Sequence, residues 1–396
     1  MSDPIVIVAA ARTALGGFQG ELSGLSGPQL GAVAIRAAVE RAGVPPEKIQ
    51  EVLMGCVLPA GVGQAPARQA ALGAGLPLSA ACTTVSKVCG SGMKAVMFAH
   101  DLLRAGSAEV VVAGGMESMS NAPYLLPKAR AGYRLGHGQV LDHMFLDGLE
   151  DAYSKENRGR LMGTFAEDCA GQYSFSREDQ DAFAVASTTR AQAAIRDGAF
   201  AWEVAPVTVT GRKGEIVVDQ DEQPLKANLD KISTLKPAFR KDGTVTPANS
   251  SSISDGAAAL VLTRRSVADQ LGLKVLATVV GHATHAQEPA LFTTAPVGAM
   301  QKVLAGAGWS VNDVDLWEIN EAFAVVTMAA MKDLQLDHAK VNVNGGACAL
   351  GHPIGASGAR ILVTLLGALR ARGLKRGVAS LCIGGGEATA VAIEVA

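Results

Sequence analysis

Aromatic side chains are scarce in this 396-residue chain, at 4% of positions, and charged ones reach only 18%. With so few rings, the core must draw its volume from Ala, Val, Leu and Ile, as in buried sheets covered by helices. No Lys/Arg run stands out and the formal net charge is −2. That balance excludes a global pull toward nucleic acid or a membrane surface. No apolar stretch is long enough to span a bilayer. The N-terminus passes from Met1 through Pro4 into Ile5-Val6-Ile7-Val8 without a basic n-region or a long apolar h-region, so no secretory signal is expected. The six cysteines (Cys56, Cys82, Cys89, Cys169, Cys348, Cys382) lack a paired CxxC or a Cys/His metal spacing. They read as free thiols of a cytoplasmic protein. His282 and His285 have no further ligand candidate close by in the chain, and no metal site is expected.

Glycine, by contrast, is plentiful, with 45 residues, which points to tight turns and close backbone approaches in an α/β enzyme. Three blocks emerge. Residues 1–120 alternate strand patterns (Ile5–Ala9, Val52–Cys56, and Val110–Ala113 ending at Gly114-Gly115) with an amphipathic helix over Gln29–Ala42. Such alternation predicts a mostly parallel sheet. Residues 121–247 hold scattered Pro and Gly and one clear helix, Arg177–Asp197, with Ser176 as its cap. They read as a loop-rich insertion over a site or an oligomer contact. From 248 onward strand patterns return at Asp255–Thr263, Val275–Gly281, Asp315–Ile319, Gly377–Cys382 and Ala388–Val395. The run from Ser91-Gly92 to Gly114-Gly115 resembles that from Ser357-Gly358 to Gly384-Gly385-Gly386, the pattern of a duplicated unit.

Cys89 lies in Val88-Cys89-Gly90-Ser91-Gly92-Met93, just ahead of a helical pattern. A helix N-terminus there would lower its pKa below the free value of about 8.5. Taken alone, it fits a small core thiol equally well. His352 sits among glycines before a helix, placed either as a base near neutrality or as a loop histidine bonded to backbone. Cys382 ends an apolar strand before Ile383-Gly384-Gly385-Gly386, where successive amides suit an oxyanion, although a core thiol also fits. The GxGxxG order of a dinucleotide site is absent. Asn320, in Asn320-Glu321-Ala322-Phe323-Ala324, suits either an N-cap or a water holder.

Together these segments, with Gly114-Gly115-Met116-Glu117-Ser118-Met119-Ser120 and Asn342–Arg360, resemble the thiolase family over essentially the whole chain. The resemblance implies a duplicated α/β/α/β/α core with an inserted loop domain. The N-terminal half would take 1–120 and 248–275, the loop domain 121–247, and the C-terminal half 276–396. It implies reversible condensation of two acetyl-CoA to acetoacetyl-CoA plus CoA, with a broader 3-ketoacyl-CoA thiolase as the alternative. Cys89 would be the nucleophile, His352 its base and Cys382 the acid/base at the α-carbon. Asn320 would hold a water, and Gly384 would supply an oxyanion amide. Leu149, Met162, Phe239, Pro247, Ser251 and Phe323 match coenzyme A positions. No cofactor is implied, and coenzyme A thioesters are the substrates. A non-catalytic thioester-binding protein of this fold would not need all three of Cys89, His352 and Cys382. A decarboxylating ketosynthase would usually carry a histidine in place of Cys382. Leu161, the insertion around Ser154–Asn157 and Phe292 depart from the short-chain pattern and bear on acyl length. Residues 122–130 resemble tetrameric members, which implies a homotetramer.

Overall fold

The computed structural model describes residues 3–211 and 214–396. One half of its large sheet holds β1 (Ile5–Thr13), β2 (Glu51–Gly55), β3 (Ala81–Val85), β4 (Val110–Ser118) and β5 (Ser254–Arg264). The other holds β6 (Ala277–Ala286), β7 (Leu316–Ile319), β8 (Arg376–Ile383) and β9 (Glu387–Val395). Their order is β7-β8-β9-β6-β1-β5-β4-β2-β3.

The mostly parallel sheet expected from strand–helix alternation is corrected. Along this path only β2–β3, β2–β4 and β7–β8 pair in parallel. β5 enters antiparallel between β1 and β4, and β9 folds straight back on β8. Outward from the central β1–β6 join, both halves repeat one succession of pairings. β1–β5–β4–β2 runs antiparallel, antiparallel, parallel, and so does β6–β9–β8–β7. The join itself is narrow, with Val6 facing Thr278 and Ile7 facing Ala277.

β1 is buried at every position because helices cover both faces of the sheet. α1 (Gly27–Ala42) lies outside the first half. Between the halves run α2 (Ser91–Arg104) and, near the C-terminus, the helix Ser357–Arg372. In the 121–247 block, α3 (Met162–Tyr173) is a helix that the sequence pattern did not reveal. α4 (Arg177–Arg196) follows it, with Ser176 Oγ accepting from the Asp179 N–H at 3.1 Å. α5 (Ala295–Ala307) covers the outside of the second half, and α6 (Ala324–Leu334) lies beside α3 and α4. The helix Ser357–Arg372, here α7, is buried from Ser357 to Leu369, as a helix packed between the two halves of the sheet must be.

The N-termini of α2 and α7 meet backbone to backbone. A Cβ on Gly92 would lie 2.9 Å from the Ala359 nitrogen, and one on Gly358 2.4 Å from the Met93 nitrogen. This contact sets the turn before α2, which carries Cys89, beside the loop before α7, which carries His352. β4 runs on through Gly114 and Gly115 rather than stopping at Ala113. A Cβ on Gly115 would lie 2.0 Å from the Gly355 carbonyl oxygen, so glycine there permits the close approach.

Candidate active site

Cys89 occupies a tight turn between β3 and α2. Val88 takes φ 45°, and Ser91 Oγ donates to the Val88 carbonyl at 2.7 Å while accepting from the Lys87 N–H at 2.8 Å. The N–H groups of Cys89 itself and of Gly384 both reach Cys89 Sγ. Burial nevertheless pushes the thiol up to about 11, against those two amides. The expectation of a pKa below the free value is therefore corrected. Desolvation of the thiolate outweighs the helix terminus and the amides.

His352 is buried, and its backbone N–H donates to the Ser252 carbonyl at 3.1 Å. Its Nδ1 meets Ser357 Oγ at 2.5 Å. The single Ser357 hydroxyl proton goes to the Pro353 carbonyl at 3.0 Å, so the hydroxyl accepts from Nδ1–H. The lone pair is thereby assigned to Nε2, which is buried with no hydrogen-bond partner among the described residues. Burial and the Arg360 charge drive the imidazole down to about 3, which keeps it neutral with Nε2 unprotonated.

Cys382, on β8 opposite Ala388, is fully buried. Burial and the neighbouring Cys89 sulfur raise its pKa well above the ordinary thiol value. The β8–β9 turn is made by Gly384 with Gly385 (φ 96°) and Gly386 (φ 80°), angles that glycine adopts without a Cβ penalty.

Cys89, His352, Cys382 and Gly384 all line one mostly apolar cleft of about 460 Å³. Leu149, Met162, Phe239, Pro247, Ser251 and Phe323 line the same cleft. A wider groove of about 690 Å³ beside α4 and α6 is lined by no cysteine, so size alone does not locate the chemistry. Asn320 does not line the cleft. It follows β7 and is fully buried, and neither its amide oxygen nor its amide nitrogen has a hydrogen-bond partner among the described residues. The N-cap reading of Asn320 is corrected, because α6 begins at Ala324 with Phe323 in the capping position. The adjacent Glu321 accepts from Ser187 Oγ, Asn342 Nδ2 and the Cys348 N–H at 2.7, 2.8 and 3.0 Å.

Phe292 and Leu161 also line the cleft, and Phe292 stands edge-on to Phe165 with centroids 6.2 Å apart. Residues 154–157 do not line it, yet Tyr153 beside them donates to the Gly384 carbonyl at 3.4 Å. Four further contributors escaped sequence reasoning: Ser252, Ser357, Tyr153 and Glu117. Glu117 accepts from the N–H groups of Val57, Leu58 and Gly355 at 2.9, 3.2 and 2.9 Å, which anchors the loop three residues past His352. Burial lifts it to about 7 despite those bonds. Its one visible signal was an acidic residue inside the otherwise small and apolar Gly114–Met119 segment.

A duplicated core whose matching helix N-termini meet at a two-thiol cleft places this molecule among acyl-transferring enzymes. The chain belongs to the thiolase family: the thiolase N-terminal domain matches residues 5–266 and the thiolase C-terminal domain residues 273–395. It is 51% identical over 392 residues to the acetyl-CoA acetyltransferase of Cupriavidus necator, covering 98% of this chain and 99% of that one. Identity to acetyl-CoA acetyltransferase 2 of Arabidopsis thaliana is 54% over 394 residues, covering 99% and 97%. The crystal structure of the Bacillus anthracis acetyl-CoA acetyltransferase superposes with a TM-score of 0.96 at 42% identity, covering 100% of this chain and 99% of that one.

Proposed function

We infer that this protein is an acetyl-CoA C-acetyltransferase, condensing two acetyl-CoA into acetoacetyl-CoA and free CoA and running the reverse thiolysis. The observation that carries this reading is the placement of two thiols and an unpartnered imidazole nitrogen along one cleft, with two amides aimed at one sulfur. In the first half-reaction the Cys89 proton passes to His352 Nε2 as Sγ attacks the thioester carbonyl. The developing oxyanion is held by the Cys89 and Gly384 amides. The bond to the CoA sulfur breaks, and CoA leaves with the proton from His352.

In the second half-reaction the Cys382 proton moves to His352, leaving a thiolate that takes a proton from the α-carbon of a second acetyl-CoA. The enolate oxygen accepts from His352 Nε2–H and from a water held by the Asn320 amide. A buried amide with neither polar atom partnered suits that task. The α-carbon attacks acetyl-Cys89, and the departing sulfur takes its proton from His352. Every group returns to its starting state.

Phe292 closes off apolar space in the cleft, and acyl length is its natural target. The purified protein is expected to turn over acetoacetyl-CoA faster than longer 3-ketoacyl-CoA. Phe292→Ala should raise the relative rate for 3-ketohexanoyl-CoA by at least about tenfold. A wild type that prefers the longer substrates would sink the acetyl-specific reading in favour of a broad 3-ketoacyl-CoA thiolase.

The proposal extends to a homotetramer. Tyr124, Leu126 and Leu135 in the loop block are 68%, 53% and 99% exposed, apolar surface that suits contacts between subunits. Light scattering of the purified protein should return four protomers, and a monomer would refute this part.

A further inference from the structure

His100 and Asp101 are neighbours on α2, while His282 lies on β6, 182 residues beyond His100. His282 approaches from the sheet and meets both. Its Nε2 stands 3.2 Å from His100 Nδ1 and 2.9 Å from Asp101 Oδ1, and His100 Nδ1 lies 3.1 Å from the same oxygen. The two rings are nearly perpendicular, at 88° with centroids 4.9 Å apart, so their nitrogens converge edge-on. None of the three residues lines the catalytic cleft, and no step of the reaction above uses them.

Three ligand-type atoms thus form a nearly equilateral triangle. Around a tetrahedral cation with bonds of about 2.0–2.1 Å, ligand atoms stand roughly 3.3 Å apart. The observed separations are one face of such a polyhedron, slightly contracted, with the fourth position open to a water. Without a cation, one carboxylate oxygen serves both imidazoles while their nitrogens crowd together. Two imidazoles and one carboxylate, with no thiolate, favour first-row transition dications over calcium or magnesium.

We propose that His100, Asp101 and His282 form a site for a divalent transition cation, represented by Zn²⁺, that clamps α2 to β6. Both histidines are largely buried, at 11% and 17% side-chain exposure, whereas Asp101 is 55% exposed. The site therefore opens to solvent on the Asp101 side. α2 belongs to the first half and β6 to the second, so the clamp spans the two repeats where β1 and β6 share only a narrow join.

Sequence spacing concealed this arrangement, since no local pattern links a helical His-Asp pair to one distant strand histidine. The full-length protein, stripped with EDTA, is titrated with Zn²⁺ and separately with Co²⁺ as an optical probe. One ion per protomer should bind and raise the melting temperature. Co²⁺ should show visible d–d bands without a thiolate charge-transfer band. Asp101→Asn and His282→Gln should each weaken binding by at least about tenfold and keep wild-type thiolysis. Asp101 is exposed enough that Asp101→Asn keeps the fold even if His282→Gln does not. No uptake, uptake undiminished in Asp101→Asn, or a thiolate band abolished by Cys89→Ser would each overturn the site.

Discussion

Cys89→Ala is expected to lower acetoacetyl-CoA thiolysis by on the order of 10⁵–10⁶ and to abolish the acetyl adduct that mass spectrometry should detect after mixing wild type with acetyl-CoA. Covalent transfer passes through this one sulfur, and no other cysteine combines the cleft with two amides directed at it. An adduct of full stoichiometry in the variant would refute the assignment. The same residue sets an expected pH profile for alkylation. With the thiol at about 11, the thiolate fraction grows tenfold per pH unit, so the iodoacetamide rate should climb from about pH 6 to about pH 10 without levelling near about 8.5, the value of a free thiol. Acetyl-CoA should protect. A plateau near the free-thiol value would show that burial does not govern Cys89.

Cys382→Ser is expected to separate the two half-reactions. Acetyl-Cys89 should still form at close to the wild-type rate, read as a burst of released CoA. Condensation and thiolysis should fall by about 10²–10⁴, the usual contribution of a positioned acid/base. A hydroxyl is far less acidic than a thiol and cannot supply the base that the α-carbon needs. Cys382 is fully buried among Phe165, Phe292 and Phe323, so a serine hydroxyl left unpaired there costs about 1–3 kcal/mol. Cys382→Ala, which adds no polar group, separates that cost from the chemistry. If both variants fold and lose the CoA burst as completely as turnover, Cys382 does not act on the second substrate.

Much of this site was readable from the sequence because each key residue stands where a strand or turn hands over among glycines. Cys89 precedes a helix, His352 precedes its counterpart in the repeat, and Cys382 ends a strand before a glycine run. Strand direction was not readable. β5 arrives after the long 121–247 block, and only its placement between β1 and β4 makes it antiparallel. The Cys89 pKa was misjudged because a local motif displays the helix terminus but not the burial imposed by distant elements. Ser357 and Glu117 stayed hidden for a related reason. Glu117 acts on Gly355, 238 residues away, and the Ser357 hydroxyl gains meaning only once its proton is assigned to Pro353.

The raised pKa of Cys89 also bears on durability. At neutral pH a thiol whose pKa is raised by desolvation stays mainly protonated. Peroxide and stray electrophiles attack the thiolate, so holding Cys89 mainly as the thiol slows their reaction between turnovers. Full nucleophilicity arises only when a thioester carbonyl sits against the Cys89 and Gly384 amides and the proton can pass to His352. The cleft thereby keeps its most reactive atom dormant until a substrate arrives that can use it.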